Sequence, residues 1–209
     1  MTQKKKKGYF ITFEGIDGCG KSTQLDLTAK LLKKEGINPL VLREPGSTPL
    51  SERVRKILLD KKLTINPLSE LLLYESARAE LVREIIGPAI ENGQIVVCDR
   101  FYDSTTAYQG YGRKLDISLI EKLNDETVGK YKPNLTFLID VDLKTSLLRR
   151  KKEADRLEKE SKTFFNRVRR GFLETAKSEP KRIIIIDGRQ LIEKIFDEIK
   201  VIIVKKLKL

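Results

Sequence analysis

The chain contains no histidine, only two cysteines, and no apolar run long enough to span a bilayer. The first absence excludes histidine-based general base catalysis and His-ligated metal sites. Serine hydrolases with a histidine base, zincins and many metallohydrolases go with it. The two cysteines, Cys19 and Cys98, lie far apart, which predicts a reduced, intracellular protein without a disulfide framework. A membrane helix needs roughly 18 continuous apolar residues. The apolar stretch behind the N-terminal lysines, Gly8 to Phe13, is too short and β-branched for a signal segment. The expectation is a soluble, cytoplasmic protein with no membrane partner.

What is abundant is positive charge. A net charge of +12 favours anionic partners such as nucleotides or nucleic acid. Part of it sits in Lys4 to Lys7 and in Lys205, Lys206 and Lys208, which read as solvated ends. The rest clusters in Arg149 to Lys152 and Arg167 to Arg170.

At 209 residues the chain suits one domain, with a basic tail over 1–7 and a lid over about 149–161. Short apolar runs alternate with helical periodicity, predicting an α/β P-loop NTPase-type fold with a five-stranded parallel sheet flanked by helices. The strand candidates are Tyr9–Phe13, Leu40–Leu42, Ile95–Cys98, Leu135–Ile139 and Ile183–Ile186, apolar throughout as expected of strands covered on both faces. Helix candidates are Ser22–Lys34, Leu50–Leu59, Leu68–Glu91, Ile117–Val128, Leu143–Glu153, Phe164–Ala176 and Leu191–Leu207. Several strands end in polar residues, namely Glu14, Arg43-Glu44, Asp99-Arg100 and Asp140. In a parallel sheet these gather at one carboxyl edge, where ligands bind. Arg149–Ser161, highly charged and weakly periodic, reads as an exposed, mobile excursion.

Gly15-Ile16-Asp17-Gly18-Cys19-Gly20-Lys21-Ser22 satisfies G-x-x-x-x-G-K-[ST] between a strand and a helix. Its glycines let the backbone curl around phosphate, and the exposed N–H groups with the helix N-terminus attract the anion. Gly15 to Thr23 is therefore the expected nucleotide-binding segment, for ATP in a motor or a small-molecule kinase and for GTP in a GTPase. Lys21 is placed to reach the outer phosphates, and the Ser22 hydroxyl suits Mg²⁺. Asp99 ends a buried strand and is the second candidate for Mg²⁺, directly or through water. Beside it, Arg100 has the planar fork that grips a monophosphate. The same two residues could also be a structural ion pair. No N-K-x-D base-reading motif of GTPases is present.

Tyr74 and Arg78 are four apart on a helix and share a face, an aromatic plate beside a planar donor. Without further context Tyr74 would be a core residue and Arg78 a surface one. Ser104, Thr105, Tyr108 and Gln109 add neutral hydrogen-bonding groups behind Arg100.

Over essentially its whole length the sequence resembles the bacterial-type thymidylate kinases. The resemblance is carried by Phe13-Glu14-Gly15-Ile16-Asp17-Gly18, Arg43-Glu44-Pro45-Gly46, Leu72-Leu73-Tyr74 with Ala77-Arg78, Asp99-Arg100-Phe101 and Ser104-Thr105-Thr106-Ala107-Tyr108-Gln109-Gly110. Asp155-Arg156-Leu157-Glu158 before Phe164-Phe165-Asn166-Arg167 completes it. It implies transfer of the γ-phosphoryl group of ATP to dTMP with Mg²⁺, and a homodimer, with no nucleic acid partner. The implied acceptor site is Asp17 on the sugar 3′-hydroxyl, Arg43 and Glu44 in the adjoining loop, Tyr74 stacked on thymine where the family usually has Phe, and Arg78 on the base. Ser104, Thr105, Tyr108 and Gln109 line the pocket, and Arg100 takes the phosphate. The position where some members carry a P-loop arginine is Cys19, so the resemblance is to the type whose lid supplies positive charge. Arg149 and Arg156 are the lid candidates for catalysis, in a run that could equally be a solvated helix face. A kinase for another monophosphate or for a deoxynucleoside, and a nucleic-acid-stimulated NTPase, are the alternatives.

Overall fold

The computed structural model describes residues 8–150 and 155–209. The expected basic tail over 1–7 and residues 151–154 of the expected lid lie outside the described residues. Five strands, β1 (Tyr9–Glu14), β2 (Leu40–Arg43), β3 (Ile95–Asp99), β4 (Leu135–Asp140) and β5 (Ile183–Asp187), form one sheet in the order β2-β3-β1-β4-β5. All four pairings are parallel.

Each strand runs one residue beyond the apolar stretch that predicts it. Glu14, Arg43, Asp99, Asp140 and Asp187 belong to the strands themselves. Phe13 and Arg43 are both in register with Asp99, so the polar ends of neighbouring strands align at one edge. The chain leaves β1 between β3 and β4, and this crevice at the carboxyl edge is the natural ligand site of an open parallel sheet. Complete cover on both faces holds for the central strands only. In the outer strands β2 and β5, Val41 and Ile185 are exposed.

The helices are α1 (Lys21–Lys34), α2 (Pro49–Leu59), α3 (Pro67–Leu81), α4 (Gly87–Glu91), α5 (Tyr102–Thr105), α6 (Ile117–Val128), α7 (Leu143–Arg149), α8 (Lys162–Ser178) and α9 (Ile192–Leu207). The expected single helix over 68–91 is α3 and α4 joined by a π turn at Val82–Ile86. Pro88 follows, and a proline removes one helical N–H from the ladder. A helical stretch that none of the helix candidates spans covers Tyr102–Gly112. It begins as α5 and continues with π geometry over Thr106–Gly112. Its threonines and glycines are weak helix formers, and burial holds it in place. Ala107, Tyr108, Gln109, Gly110 and Gly112 are all buried. Tyr108 meets the rings of Phe164 and Phe172 from α8 edge-on, with centroids 6.2 and 6.1 Å away.

Several helices start where their side chains allow it. Thr48, Asn66, Asp116, Asp142 and Ser161 cap α2, α3, α6, α7 and α8 by accepting from backbone N–H groups of the first turn. The largest core joins β1, β4 and β5 to α1, α8 and α9. A second, around Phe10, Val96 and Phe101, joins β1 and β3 to the α3–α4 helix. No helix among the described residues is long and apolar enough to cross a membrane.

Phe137 of β4 is fully buried and packs against Phe13 of β1 with centroids 5.3 Å apart. Phe137→Ala should cost about 3–5 kcal/mol of unfolding free energy in urea titration. A loss under about 1 kcal/mol would show that this part of the core collapses around the deletion.

Candidate active site

The phosphate loop connects β1 to α1. Gly18 has φ +78°, a left-handed conformation that favours glycine, and a Cβ there would collide with the Ser146 carbonyl oxygen of α7. Ser146 also donates from Oγ to the Asp17 carbonyl at 2.6 Å. Helix α7 is thus docked directly on the loop. Lys21 is buried with its Nζ 3.3 Å from Asp17 Oδ1. Gly20, Ser22 and Thr23 are exposed to whatever the loop receives, while Gly15 and Ile16 are buried. Cys19 is completely buried and burial pushes its thiol up, so this loop position supplies no charge.

Arg100 follows β3 with φ +70°, a conformation costing a non-glycine residue about 1–2 kcal/mol. Its hydrogen bonds offset that cost. Nη1 donates to the Gly15 carbonyl at 2.9 Å and to Ser104 Oγ at 3.1 Å; Nη2 donates to Asp17 Oδ1 at 2.6 Å. Burial alone would push the Asp17 carboxyl up, but Arg100 and Lys21 outweigh it and hold the group well below the usual range. Tyr108 OH lies 3.4 Å from the other Asp17 oxygen, and the Arg100 guanidinium sits 5.2 Å over the Tyr108 ring.

Behind Arg100 lies a carboxylate that sequence reasoning quoted but gave no role. Glu14, the last residue of β1, accepts from Phe101 N and from Ser104 Oγ, both at 2.6 Å. Ser104 in turn accepts from Arg100, so Glu14 braces the turn that presents the guanidinium. It is 1% exposed. Burial and then the neighbouring Asp103 push it up to about 8, against the pull of Arg100.

The acceptor candidates gather around one cleft of about 790 Å³, shared by Asp17, Lys21, Ser22, Asp99 and Arg100 on one side and by Tyr74, Arg78, Ser104, Thr105, Tyr108 and Gln109 on the other. Tyr74 is half-buried, packed beside Val54, Leu58 and Ala77. Arg43, exposed, grips both oxygens of Glu52 at 2.7 Å.

Arg78 is neither the surface residue of its face nor a free fork for a base. It is 1% exposed. Nε donates to Glu44 Oε1 at 2.7 Å; Nη1 donates to Glu75 Oε1 at 2.5 Å and Asn124 Oδ1 at 2.9 Å; Nη2 donates to Glu44 Oε2 at 3.2 Å and Thr105 Oγ1 at 2.6 Å. These contacts use all five of its donors. In this arrangement Arg78 ties Glu44, α3, α5 and α6 together, and it also lines the cleft, where contact with a base stays the expectation. Glu44 shares that single guanidinium with Glu75, and burial pushes it up to about 7.

The lid candidates separate. Arg149 is exposed at the end of α7, lines the cleft, and donates to the Gly188 carbonyl at 2.6 Å. Arg156 does not line the cleft. Its Nε donates to the Leu58 carbonyl at 2.8 Å, and Nη2 lies 2.6 Å from Glu70 Oε2. In the described part of the charged run, Leu157 is buried and Arg156 is anchored. Arg150, passed over as a leading candidate, lies against the loop instead. Its Cγ would meet a Cβ on Gly18 at 3.4 Å, its guanidinium covers the Phe165 ring at 4.8 Å, and its buried Nε has no partner.

For a divalent cation the donors are sparse but suitable. Ser22 Oγ donates to Asp99 Oδ2 at 2.5 Å, while Asp99 Oδ1 is buried without a hydrogen-bond partner. The described residues contain no cluster of three or more acidic or thiol ligands. One hydroxyl and one carboxylate suit Mg²⁺, which keeps waters and takes its remaining oxygens from bound phosphates.

Glu14, Glu70, Glu75 and Arg113 carry the site's hydrogen-bond frame and were not singled out from the sequence. Their partners lie up to 90 residues away, and a buried carboxylate in a helix reads like any exposed one. The single local signal was Glu14 at the end of an otherwise apolar run.

A phosphate loop at the switch point of a parallel sheet, facing an arginine-bearing second pocket across one cleft, defines a P-loop phosphotransferase with two ligand sites. The sequence model described as thymidylate kinase matches residues 13–199. The chain is 50% identical over 201 residues to a thymidylate kinase of Thermoanaerobacter pseudethanolicus, covering 96% of this chain and 98% of that protein. It is 46% identical over 192 residues to one from Kosmotoga olearia, covering 91% and 92%. The crystal structure of thymidylate kinase from Ehrlichia chaffeensis superposes with a TM-score of 0.78 at 41% identity, over 97% of this chain and 99% of that one. The chain belongs to the thymidylate kinase family.

Glu14 gives a pH-dependent expectation. A carboxyl raised to about 8 in the folded state, against 4.5 unfolded, costs stability as pH rises across that window, because the unfolded chain then holds fewer protons. Glu14→Gln should therefore gain stability relative to the wild type between about pH 5 and 8, measured by thermal unfolding at each pH. A constant difference between the two proteins would contradict the assignment.

Proposed function

We propose that the chain transfers the γ-phosphoryl group of ATP to dTMP, giving ADP and dTDP, with residues 8–150 and 155–209 acting as one domain and the segment over about 149–161 as its lid. The observation that carries this reading is the single cleft joining the phosphate loop, Arg100 and the Tyr74–Gln109 pocket.

ATP lies with its phosphates in the Gly15–Thr23 loop, bound by backbone N–H groups and Lys21. Ser22 and Asp99 are the residues that would hold Mg²⁺, which when bound neutralises charge on the phosphate oxygens. The dTMP base stacks on Tyr74 and is bordered by Thr105, Tyr108 and Gln109. Arg100 takes the acceptor phosphate as a fork, and Asp17, once released from Arg100, accepts from the sugar 3′-hydroxyl. The acceptor phosphate is already anionic near neutral pH, so no strong base is needed, in keeping with a chain that has no histidine. Positioning and fixed positive charge do the work. Arg149 and Arg150 supply lid charge beside the loop, and Arg156 does so only if it leaves Glu70. Lid closure excludes water and limits ATP hydrolysis.

A cytoplasmic homodimer completes the reading. Its interface is the α2–α3 face, where Leu50, Leu68 and Leu72 are 44–49% exposed.

A coupled ADP-release assay with ATP, Mg²⁺ and each nucleoside monophosphate tests the reaction. Turnover should be strongest with dTMP, weaker with dUMP and negligible with AMP or CMP. A different preferred monophosphate would overturn the acceptor assignment, and turnover without any monophosphate would overturn the kinase reading.

A further inference from the structure

The acceptor pocket rests on a carboxylate that has no role in the reaction as described. Glu70, in the first turn of α3, is fully buried, yet three side chains from two other segments converge on it. Gln109 Nε2 donates to its Oε1 at 2.8 Å. Arg113 grips it with both ends of its fork, Nε to Oε1 and Nη2 to Oε2, each at 3.0 Å. Arg156 adds a second guanidinium 2.6 Å from Oε2. Burial opposes the charge, but these partners outweigh it and hold the Glu70 carboxyl below its usual range.

An ionised carboxylate only accepts hydrogen bonds. The Gln109 amide must therefore turn its NH2 group toward Glu70, leaving its carbonyl oxygen as the group that remains. Gln109 is 1% exposed and borders the cleft, and its Oε1 makes no hydrogen bond among the described residues. Amide oxygen and nitrogen are nearly identical in size, so shape alone would not set this orientation. The charge on Glu70 does.

We propose that Glu70 is a specificity-determining positioning residue, which locks the Gln109 amide with its carbonyl toward the base. This rests on the reading of the pocket as the dTMP site. A carbonyl there accepts from a pyrimidine whose N3 carries hydrogen, as in thymine and uracil. Cytosine presents a lone pair at N3 and leaves two acceptors facing each other. Discrimination of this kind is strong because a mismatched base leaves buried polar groups unpaired. Glu70→Gln removes the constraint, since a neutral amide can either donate or accept.

The test is steady-state kinetics of the full chain, wild type and Glu70→Gln, with ATP and with dTMP, dUMP and dCMP in turn. Wild-type turnover of dTMP reports on the acceptor reading itself; only the change in ratios reports on Glu70. In the variant the dTMP-to-dCMP ratio of kcat/KM should narrow by about tenfold or more, while the dTMP-to-dUMP ratio and the KM for ATP stay within about twofold. General loosening of the pocket would instead shift both ratios and overturn the proposal, as would an unchanged dCMP ratio. Glu70→Asp keeps the charge for Arg113 and Arg156 but withdraws it from Gln109. If Glu70→Gln does not fold, it carries the same expectation and the same contrary results. In a double-mutant cycle with Gln109→Leu, the two losses of dCMP discrimination should overlap rather than add; additive losses would overturn the proposal.

Discussion

The hold of Arg100 on the phosphate loop is the interaction on which the site's geometry depends. One guanidinium bridges the end of β3 to the Gly15 carbonyl and the Asp17 carboxylate. It ties the loop to the second pocket. The parallel order β2-β3-β1-β4-β5 makes this possible by setting β1 and β3 side by side with their carboxyl ends level. Glu14 then braces the Arg100 turn from beneath, and Ser146 docks α7 from above. A residue held at φ +70° persists because these contacts over-determine it.

Buried charge is organised in two further groups that divide the work. Arg78, Glu44 and Glu75 bind the helices under the pocket to one another, and breaking one member of such a group leaves another uncompensated. Glu70, Arg113 and Arg156 form the second group, which reaches from the pocket wall at Gln109 to Glu160 near the lid. The same carboxylate that orients a pocket amide holds an arginine of the lid segment. The wall of the cleft and the segment around Arg156 therefore meet at one residue.

Much of this was legible in the sequence because it is written locally. The phosphate loop is contiguous, the strands are short apolar runs with polar ends, and Ser22 with Asp99 could be paired from their places after β1 and on β3. The family resemblance carried Tyr74 and the Ser104–Gln109 stretch to the pocket. What could not be read were partners distant in the chain. Arg78 shares a helix face with Tyr74, and nothing in that spacing reveals that Glu44, Asn124 and Thr105 consume its donors. Arg156 looked as free as Arg149 because a charged run does not say which of its members will find a buried Glu70. The extent of the helical stretch over Tyr102–Gly112 was hidden by weak helix formers, since packing against α8 and not propensity sustains it.

The account turns on Arg100 serving the acceptor phosphate rather than ATP. Calorimetric titration of Arg100→Lys with dTMP, and separately with ATP and Mg²⁺, tests that directly. A lysine keeps the charge but loses the fork. The account predicts that dTMP affinity falls by about tenfold or more while ATP affinity changes by no more than about twofold. Loss of ATP affinity with dTMP binding intact would contradict it.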